Sequence, residues 1–528
     1  MHFRAADRRP ETERDRGAEL VGSGGSGGAS SRPPLGTTNK WAVLALAGAG
    51  VFMTTLDASI VNISLPSIAR SFGTELGGPV EWVVIGYLVV IAALLLSFGR
   101  LADLIGRKAV FIVGLAVFTT GSALSGAAPS LLALIGARAI QGIGGALLFA
   151  VNLAMISTAF PARERGRALG INSVIVALGI STGPTVGGLI TQNLTWRWIF
   201  YINVPIGIVA VLLTLRYLRQ PRSEGRSHFD PLGAICFGIG LAALTLGLSF
   251  GEEWGWSSAQ LIASIVIALV SLVAAVVVEG RVHDPVVDLA LVRQRVFASA
   301  SVSFILCQLA LFAVSFLMPF YFEELRGFSA EQSGLLLTPL SLSLGVVAPI
   351  SGSLADRIGS RWLSPGGLAL ATLGLVFLSQ LGPNSSTWSI VWRLVVAGVG
   401  QGIFQAPNTR ALMGAAPRSK QGQASGLLAT ERVVGQSVSV AIAGAIFTSL
   451  GGAAAGLALS SGTVLAPGDL AALRSIFVSG FQAAFLACAA FAAIGVLTAF
   501  VRGNEAGFEE PEAARQLSPA AVSDGRGD

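Results

Sequence analysis

Gly99-Arg-Leu-Ala-Asp103-Leu-Ile-Gly106-Arg107-Lys108 lies between two long apolar runs. Glycine permits a tight reversal, and Asp103, Arg107 and Lys108 together are too polar for lipid. The stretch therefore reads as a short turn joining two membrane-spanning helices. It returns as Gly352-Ser-Leu-Ala-Asp356-Arg357-Ile-Gly359-Ser-Arg361. That recurrence indicates a chain built from two copies of one helical bundle.

Composition agrees. Hydrophobic residues are 53% and charged residues 12% of the 528, and the mean hydropathy is +0.71. A soluble chain carries about 25% charged residues. The apolar residues fall in runs near the length of a bilayer crossing, so the class is a polytopic, all-α membrane protein. The net charge of +6 therefore gives no reason to expect a nucleic-acid partner; the placement of the positive residues matters more. Cys236, Cys307 and Cys488 all lie in apolar runs with no C-x-x-C pair, which leaves no disulfide framework. His2, His228 and His283 fall in tails or loops, so no zinc or other metal site is expected.

Spans are expected near 41–64, 80–98, 109–127, 131–155, 168–190, 198–217, 232–250 and 259–278, then 297–321, 333–353, 363–381, 389–411, 424–450 and 475–501. That makes fourteen, with both termini on one side. Alternate loops hold Arg100, Arg107, Lys108, Arg163, Arg165, Arg167, Arg216, Arg219, Arg222 and Arg226, then Arg281, Arg293, Arg295, Arg357, Arg361, Arg418 and Lys420. The opposite loops hold only Arg70, Arg197, Arg326 and Arg474. The excess marks the cytoplasmic side and puts both tails there. The nine tryptophans fall near span ends, where an aromatic belt is expected.

The two halves align. Gly142, Gly144, Asn152, Pro161, Gly166, Gly170 and Gly179 match Gly398, Gly400, Asn408, Pro417, Gly422, Gly426 and Gly435 at a constant offset of 256, while the turn motif repeats at 253. Asp230-Pro231 reads as a helix N-cap followed by proline at the first helical position, so a helix starts there. The expected organisation is a disordered tail at 1–38, a six-helix bundle at 39–226, two inserted helices at 227–285, a second six-helix bundle at 286–501 and a disordered tail at 502–528. The two bundles are related by a pseudo-twofold axis, with the substrate path between them.

Several residues in this frame are candidates for function. The turn residues Gly99, Asp103, Gly106, Arg107, Lys108, Asp356 and Arg357 suit a latch that forms in one state and breaks in another. Asp103 can meet a basic group or the positive end of a helix. Asp57, in Leu56-Asp57-Ala-Ser-Ile-Val-Asn62, sits roughly 24 Å into an apolar helix. Burial in apolar surroundings favours the neutral form of a carboxylate, which suits such a group to proton exchange. Its neighbours Thr54, Thr55, Ser59 and Asn62 carry no compensating positive charge. Arg138 and Gln141 precede Gly142 and Gly144 in the fourth span. No strand precedes these glycines, so they are not a nucleotide loop. An intramembrane arginine is a functional candidate in its own right. Gly179, Gly183 and Gly187, with Gly188, give the fifth span one small face. Pro184 has no counterpart in the second half, where Val440 stands, and is expected to bend the helix. Glu431 and Arg432 lie about ten residues inside the thirteenth span as further coupling candidates. Arg393 is one position out of register with Arg138.

With these motifs in hand, the chain resembles the major facilitator superfamily over about residues 40–501. In particular it looks like the bacterial drug:proton antiporter branch with fourteen spans. The resemblance rests on Gly99–Lys108, Arg138–Gly145, Gly179–Gly188, Leu56–Pro66 and Trp196–Gly207. It implies export of amphipathic drugs, antibiotics or toxic small molecules across the cytoplasmic membrane, driven by inward proton flow, by a protein acting as a monomer without a cofactor. Asp57 would then exchange protons, with Arg138, Asn62 and Gln141 tuning it or touching substrate. The alternative is an importer or uniporter of a small metabolite on the same fold. A membrane enzyme would need a catalytic cluster, and a receptor a folded extramembrane domain; the sequence offers neither.

Overall fold

The computed structural model describes residues 39–74, 80–218, 230–255, 258–282, 285–460 and 466–502. All of them belong to one unit, Thr38–Asp528. The two expected disordered tails lie outside the described residues except for Arg502, as do Arg219, Arg222, Arg226, His2, His228, His283 and Trp256.

The described chain is helical throughout, with no strand. The first six long helices are α1 (Lys40–Phe72), α2 (Trp82–Ile105), α3 (Arg107–Ala127), α4 (Leu131–Ala159), α5 (Arg165–Asn193) and α6 (Asn203–Tyr217). Two more follow, α7 (Pro231–Trp254) and α8 (Ala259–Glu279). The last six are α9 (Arg295–Phe320), α10 (Ala330–Ile358), α11 (Leu363–Ser379), α12 (Thr387–Ala415), α13 (Gln421–Ser449) and α14 (Pro467–Phe500). Thirteen segments among the described residues are long and apolar enough to cross a membrane, α6 counting together with the short helix Trp198–Tyr201 before it, and α11, with 17 residues, is apolar but shorter.

Local chemistry sets many of the starts. Asn39, Ser130, Ser258 and Ser386 each accept a backbone N–H from the first turn that follows. Ser329 and Gln332 form a reciprocal capping box, and Asp230 caps α7 with Pro231 at its first position. Each cap satisfies donors that the helix itself leaves open. The turn glycines Gly106 and Gly359 adopt φ of 97° and 80°, a region closed to most side chains. That conformation lets α3 start directly after α2 ends.

The packing repeats itself. α3 lies on α4 as α11 lies on α12; α1 on α5 as α9 on α13; α2 on α4 as α10 on α12; α3 on α6 as α11 on α14. Between the halves the broad contacts are α2 with α13 and α5 with α10. α7 and α8 form a hairpin outside this symmetry. α8 is apolar along its length, and its Ile262, Leu269, Val270 and Val273 remain exposed, a surface suited to lipid.

Five expectations need correction. The span at 41–64 continues as helix to Phe72, and that at 475–501 begins at Pro467. The span at 198–217 is interrupted: a short helix Trp198–Tyr201 precedes α6. Trp196 is buried against Phe72 and Phe200, so it is a core residue and not part of an aromatic belt. Arg502, placed in the tail by its polarity, is 1% exposed and donates to Ser360, Ser364 and Asn408. Buried hydroxyl and amide acceptors draw a terminal arginine in as readily as apolar contact does.

Candidate functional site

The deepest polar cluster lies inside the first six helices. α1 supplies Asp57 and α4 supplies Arg138 and Gln141, all three with no exposed surface. Arg138 and Gln141 are three residues apart on one helix, so both side chains reach the same neighbour. One Arg138 terminal nitrogen (Nη1) lies 2.5 Å from Asp57 Oδ2 and 2.7 Å from Gln141 Oε1. Gln141 Nε2 donates to Asp57 Oδ1 at 2.8 Å, which closes a triangle. Arg138 Nε donates to the Val83 carbonyl of α2 at 3.0 Å. Its guanidinium lies 4.1 Å from the Tyr87 ring centre and 5.7 Å from that of Phe200, a cation–π setting. Asn203, at the start of α6, donates to Asp57 Oδ1 at 3.2 Å and to Ser122 of α3 at 3.2 Å. Ser122 in turn donates to the Phe200 carbonyl.

Asp57 is thus held by one cation and two amides. The positive charge that its neighbours on α1 lack comes from Arg138, 81 positions further along the chain, which pairs with it directly. Asn62 does not join the cluster. It is exposed, because five residues of helix turn it well away from the face of Asp57. Asn203 does join, although its side-chain role could not be read from the sequence. The signal was an amide inside an apolar run immediately before Val204-Pro205.

Some buried polar atoms remain without a hydrogen-bond partner among the described residues: Arg138 Nη2, Asn203 Oδ1 and the Tyr87 hydroxyl. In an interior where such atoms are usually paired, these three are places for water or a polar ligand group. No group of three or more His, Cys, Asp or Glu side chains is close enough to bind a metal among the described residues.

A second pair of sites lies where the halves cross. Asp103, at the end of α2, accepts the N–H groups of Gly422 (2.8 Å) and Gln423 (3.0 Å) in the first turn of α13. Arg107 donates to Asp103 at 3.1 Å and to the Arg418 carbonyl at 2.7 Å. In the repeat, Asp356 accepts the N–H groups of Gly166 (2.9 Å) and Arg167 (3.0 Å) in the first turn of α5. Each carboxylate therefore meets the positive end of a helix from the other half. The charged partner of Asp356 is Arg410 of α12 at 2.9 Å; Arg357, named among the latch candidates, is exposed. Lys108 is half-buried beside Arg107.

Glycine allows these crossings. A Cβ on Gly99 would stand 2.6 Å from the Gly422 carbonyl oxygen, and one on Gly352 would stand 2.1 Å from that of Gly166. No side chain fits there.

The small face of α5 also has a partner. A Cβ on Gly179 or Gly183 would stand 2.1 Å from Thr55 Oγ1 or 1.8 Å from Ser59 Oγ, so α1 packs directly on these glycines. Gly187 is buried and Gly188 faces open space. Pro184 lies inside the continuous α5, and its side chain is outside the described atoms. Glu431 of α13 is 5% exposed with Oε2 unpartnered among the described residues. The Ser301 hydroxyl of α9 faces it, whereas Arg432 is half-buried and no ion pair joins the two neighbours among the described residues. Arg393 folds back on Ser389 of its own helix and stacks on Trp392, away from the position that would correspond to Arg138.

A repeated helical bundle with a buried ion pair in one half and paired crossings between halves defines a membrane transporter, not an enzyme. The chain belongs to the Major Facilitator Superfamily, whose profile matches residues 47–440. It is 36% identical over 403 residues to the Multidrug resistance protein Stp of Mycobacterium tuberculosis (strain CDC 1551 / Oshkosh), covering 76% of this chain and 75% of that one. It is also 36% identical over 411 residues to the Riboflavin transporter RibZ of Clostridioides difficile (strain 630), covering 78% of this chain and 88% of that one. Among solved structures, the human organic anion transporter TETRAN superposes with a TM-score of 0.60 at 14% identity, covering 89% of this chain and 100% of that one. This last likeness concerns the fold.

Proposed function

We propose that the protein is a proton-coupled exporter of amphipathic drugs or antibiotics in the cytoplasmic membrane, with the Gly/Asp turns and both termini on the cytoplasmic side. The observation that carries the reading is the sealed Asp57–Arg138–Gln141–Asn203 cluster. A proton reaching Asp57 removes the charge that Arg138 answers to. An arginine left unpaired in the interior costs about 3–5 kcal/mol. Helix rearrangement that brings water or substrate to the guanidinium relieves that cost, and this links proton binding to movement. Asp103 and Asp356 hold the cytoplasmic end shut in the state described and release when it opens. The multidrug-resistance relative supports the choice of substrate. The excess of basic residues on the turn side supports the orientation.

The test is substrate-driven proton movement in inverted vesicles and proteoliposomes. Proton release coupled to drug uptake into inverted vesicles is the expected result; drug movement indifferent to the proton gradient defeats the reading. A metabolite importer or uniporter on this fold is the second reading, favoured by the similarity to a riboflavin transporter. Uptake of riboflavin by whole cells, in place of drug efflux, would establish it.

A further inference from the structure

We propose that the inserted hairpin α7–α8 locks one of the two crossings and leaves the other free, with Glu279 as its positioning residue. The proposal rests on reading the crossings as latches. The hairpin is tightly joined: a Cβ on Gly240 would stand 2.8 Å from Leu272 and one on Gly247 would stand 3.0 Å from Ser264. α7 packs on both α2 and α13. Its Leu241 is buried with Ala92 and Leu96 of α2 and with Val286 and Val287, flanked by Leu427 and Val434 of α13. The hairpin therefore straddles the crossing that Asp103 holds. It makes no comparable contact with α5 or α10, the helices of the Asp356 crossing.

The polar contacts at the end of the hairpin run to the same place. Glu279, the last residue of α8, is 3% exposed, and its Oε1 accepts the Val286 N–H at 3.1 Å. The Pro285 carbonyl, one residue back, takes the side-chain amide of Gln423 at 3.1 Å, while the backbone N–H of Gln423 goes to Asp103. Lys420 pairs with Asp288. Burial acts to raise the Asp288 pKa, but the hydrogen bond from Lys420, that of the Ala290 N–H and the Lys420 charge together hold it below the usual carboxylate value. Arg100, Glu279, Pro285, Asp288, Lys420 and Gln423 border one polar cavity of about 340 Å³. Asp230, at the other end of the hairpin, places its carboxylate beside that of Glu279: both lie within 2.7 Å of the spot where a Gly233 Cβ would stand.

The segment 285–288 is thus fastened to the hairpin by Glu279 and to the first turn of α13 by Gln423 and Lys420. The hairpin is itself packed on α2. For α13 to leave α2 at this end, either Glu279 must release Val286, or Gln423 must release Pro285 and Lys420 must release Asp288. At the Asp356 crossing the two N–H groups and Arg410 of α12 meet the carboxylate; α12 packs on both α10 and α5 there as α4 packs on α2 and α13 at the other crossing, and the hairpin is the bridge that has no counterpart. The pseudo-symmetric latches therefore differ in stability, and the hairpin is the cause.

The test uses the full chain in membranes, with Cys236, Cys307 and Cys488 replaced. The reporters are Ala424→Cys beside the Asp103 crossing and its repeat mate Ala168→Cys beside the Asp356 crossing, both buried in the described state. Alkylation by a permeant maleimide reads opening at each. Glu279→Ala is expected to raise the rate at Ala424→Cys by about threefold or more, the shift that loss of one hydrogen bond produces, and to leave Ala168→Cys unchanged. Glu279→Gln, which keeps the carbonyl acceptor for Val286, restores the parent rate. If Glu279→Ala does not accumulate in the membrane, Gln423→Ala, which cuts the link to Pro285 but keeps the N–H to Asp103, takes its place with the same expectation. Equal increases at both reporters, or none at either while Asp103→Asn opens the Ala424→Cys site, overturn the proposal. If Asp103→Asn itself leaves that site closed, the latch reading fails instead.

Discussion

At the scale of the residue, Asp57 and Arg138 are best treated as one unit. Asp57→Asn leaves the buried guanidinium without its counter-charge, so the variant should lose about 3–5 kcal/mol of stability as well as proton coupling. The double variant Asp57→Asn/Arg138→Gln removes both charges and should regain most of the stability without regaining transport. Thermal melting in detergent alongside drug-driven proton flux checks both; transport by the double variant at the parent rate would show that the pair is only structural. The sequence displayed each member of this unit separately, as a charge out of place in an apolar run. It could not display the pairing, because hydropathy carries no information about which helices are neighbours. The same blindness hid Asn203 and Arg410, and it made Asn62 look like a partner when helical geometry turns it away.

At the scale of the element, the two crossings make the sharper test. Gly352→Ala puts a methyl group within 2.1 Å of the Gly166 carbonyl oxygen, so α5 and α10 cannot close. Transport should fall at least tenfold in membranes that hold normal amounts of protein, the loss expected when a step is opposed by about 1.4 kcal/mol or more. Asp356→Asn keeps shape but weakens the two bonds from N–H groups and removes the ion pair with Arg410, and should impair transport less than Gly352→Ala does. The reverse order in initial efflux rates would mean that charge, not backbone approach, governs the joint. Much of this was legible: the repeat of glycine and aspartate at fixed spacing pointed to paired turns, and glycine suggested tight geometry. What the sequence did not reveal was the far side of each joint. Gly166 and Gly422 stood in the repeat alignment, but nothing in their spacing said that they face Gly352 and Gly99.

At the scale of the whole molecule, the helix count and the buried end of α14 make separate predictions. With six spanning helices before residues 219–229 and fourteen before residue 503, reporter enzymes joined in either place should report the same side of the membrane. Opposite signals would remove one helix from the count, and the 17-residue α11 would be the first to go. Arg502→Ala should lower stability by about 1.5–3 kcal/mol or more, the value of a hydrogen bond from a charged group, since Asn408 and two serines lose their shared donor. Unchanged melting would show that α14 is held by its apolar face alone. Hydropathy and charge bias carried the architecture here, because lipid imposes one rule on every span. Arg502 broke the pattern, since an arginine can be buried whenever acceptors await it.

The glycine crossings also set an energy scale for the working cycle. Main chain meets main chain there, so the glycines themselves give up no side-chain rotamers when the joint closes. At each joint an aspartate on two N–H groups contributes about 1.5–3 kcal/mol for each bond. One proton crossing a membrane releases about 2.3 kcal/mol per 100 mV. The two bonds of a joint together, about 3–6 kcal/mol, are of the same order, so one ion per turn at 100 mV offsets roughly a third to three quarters of the aspartate's hold.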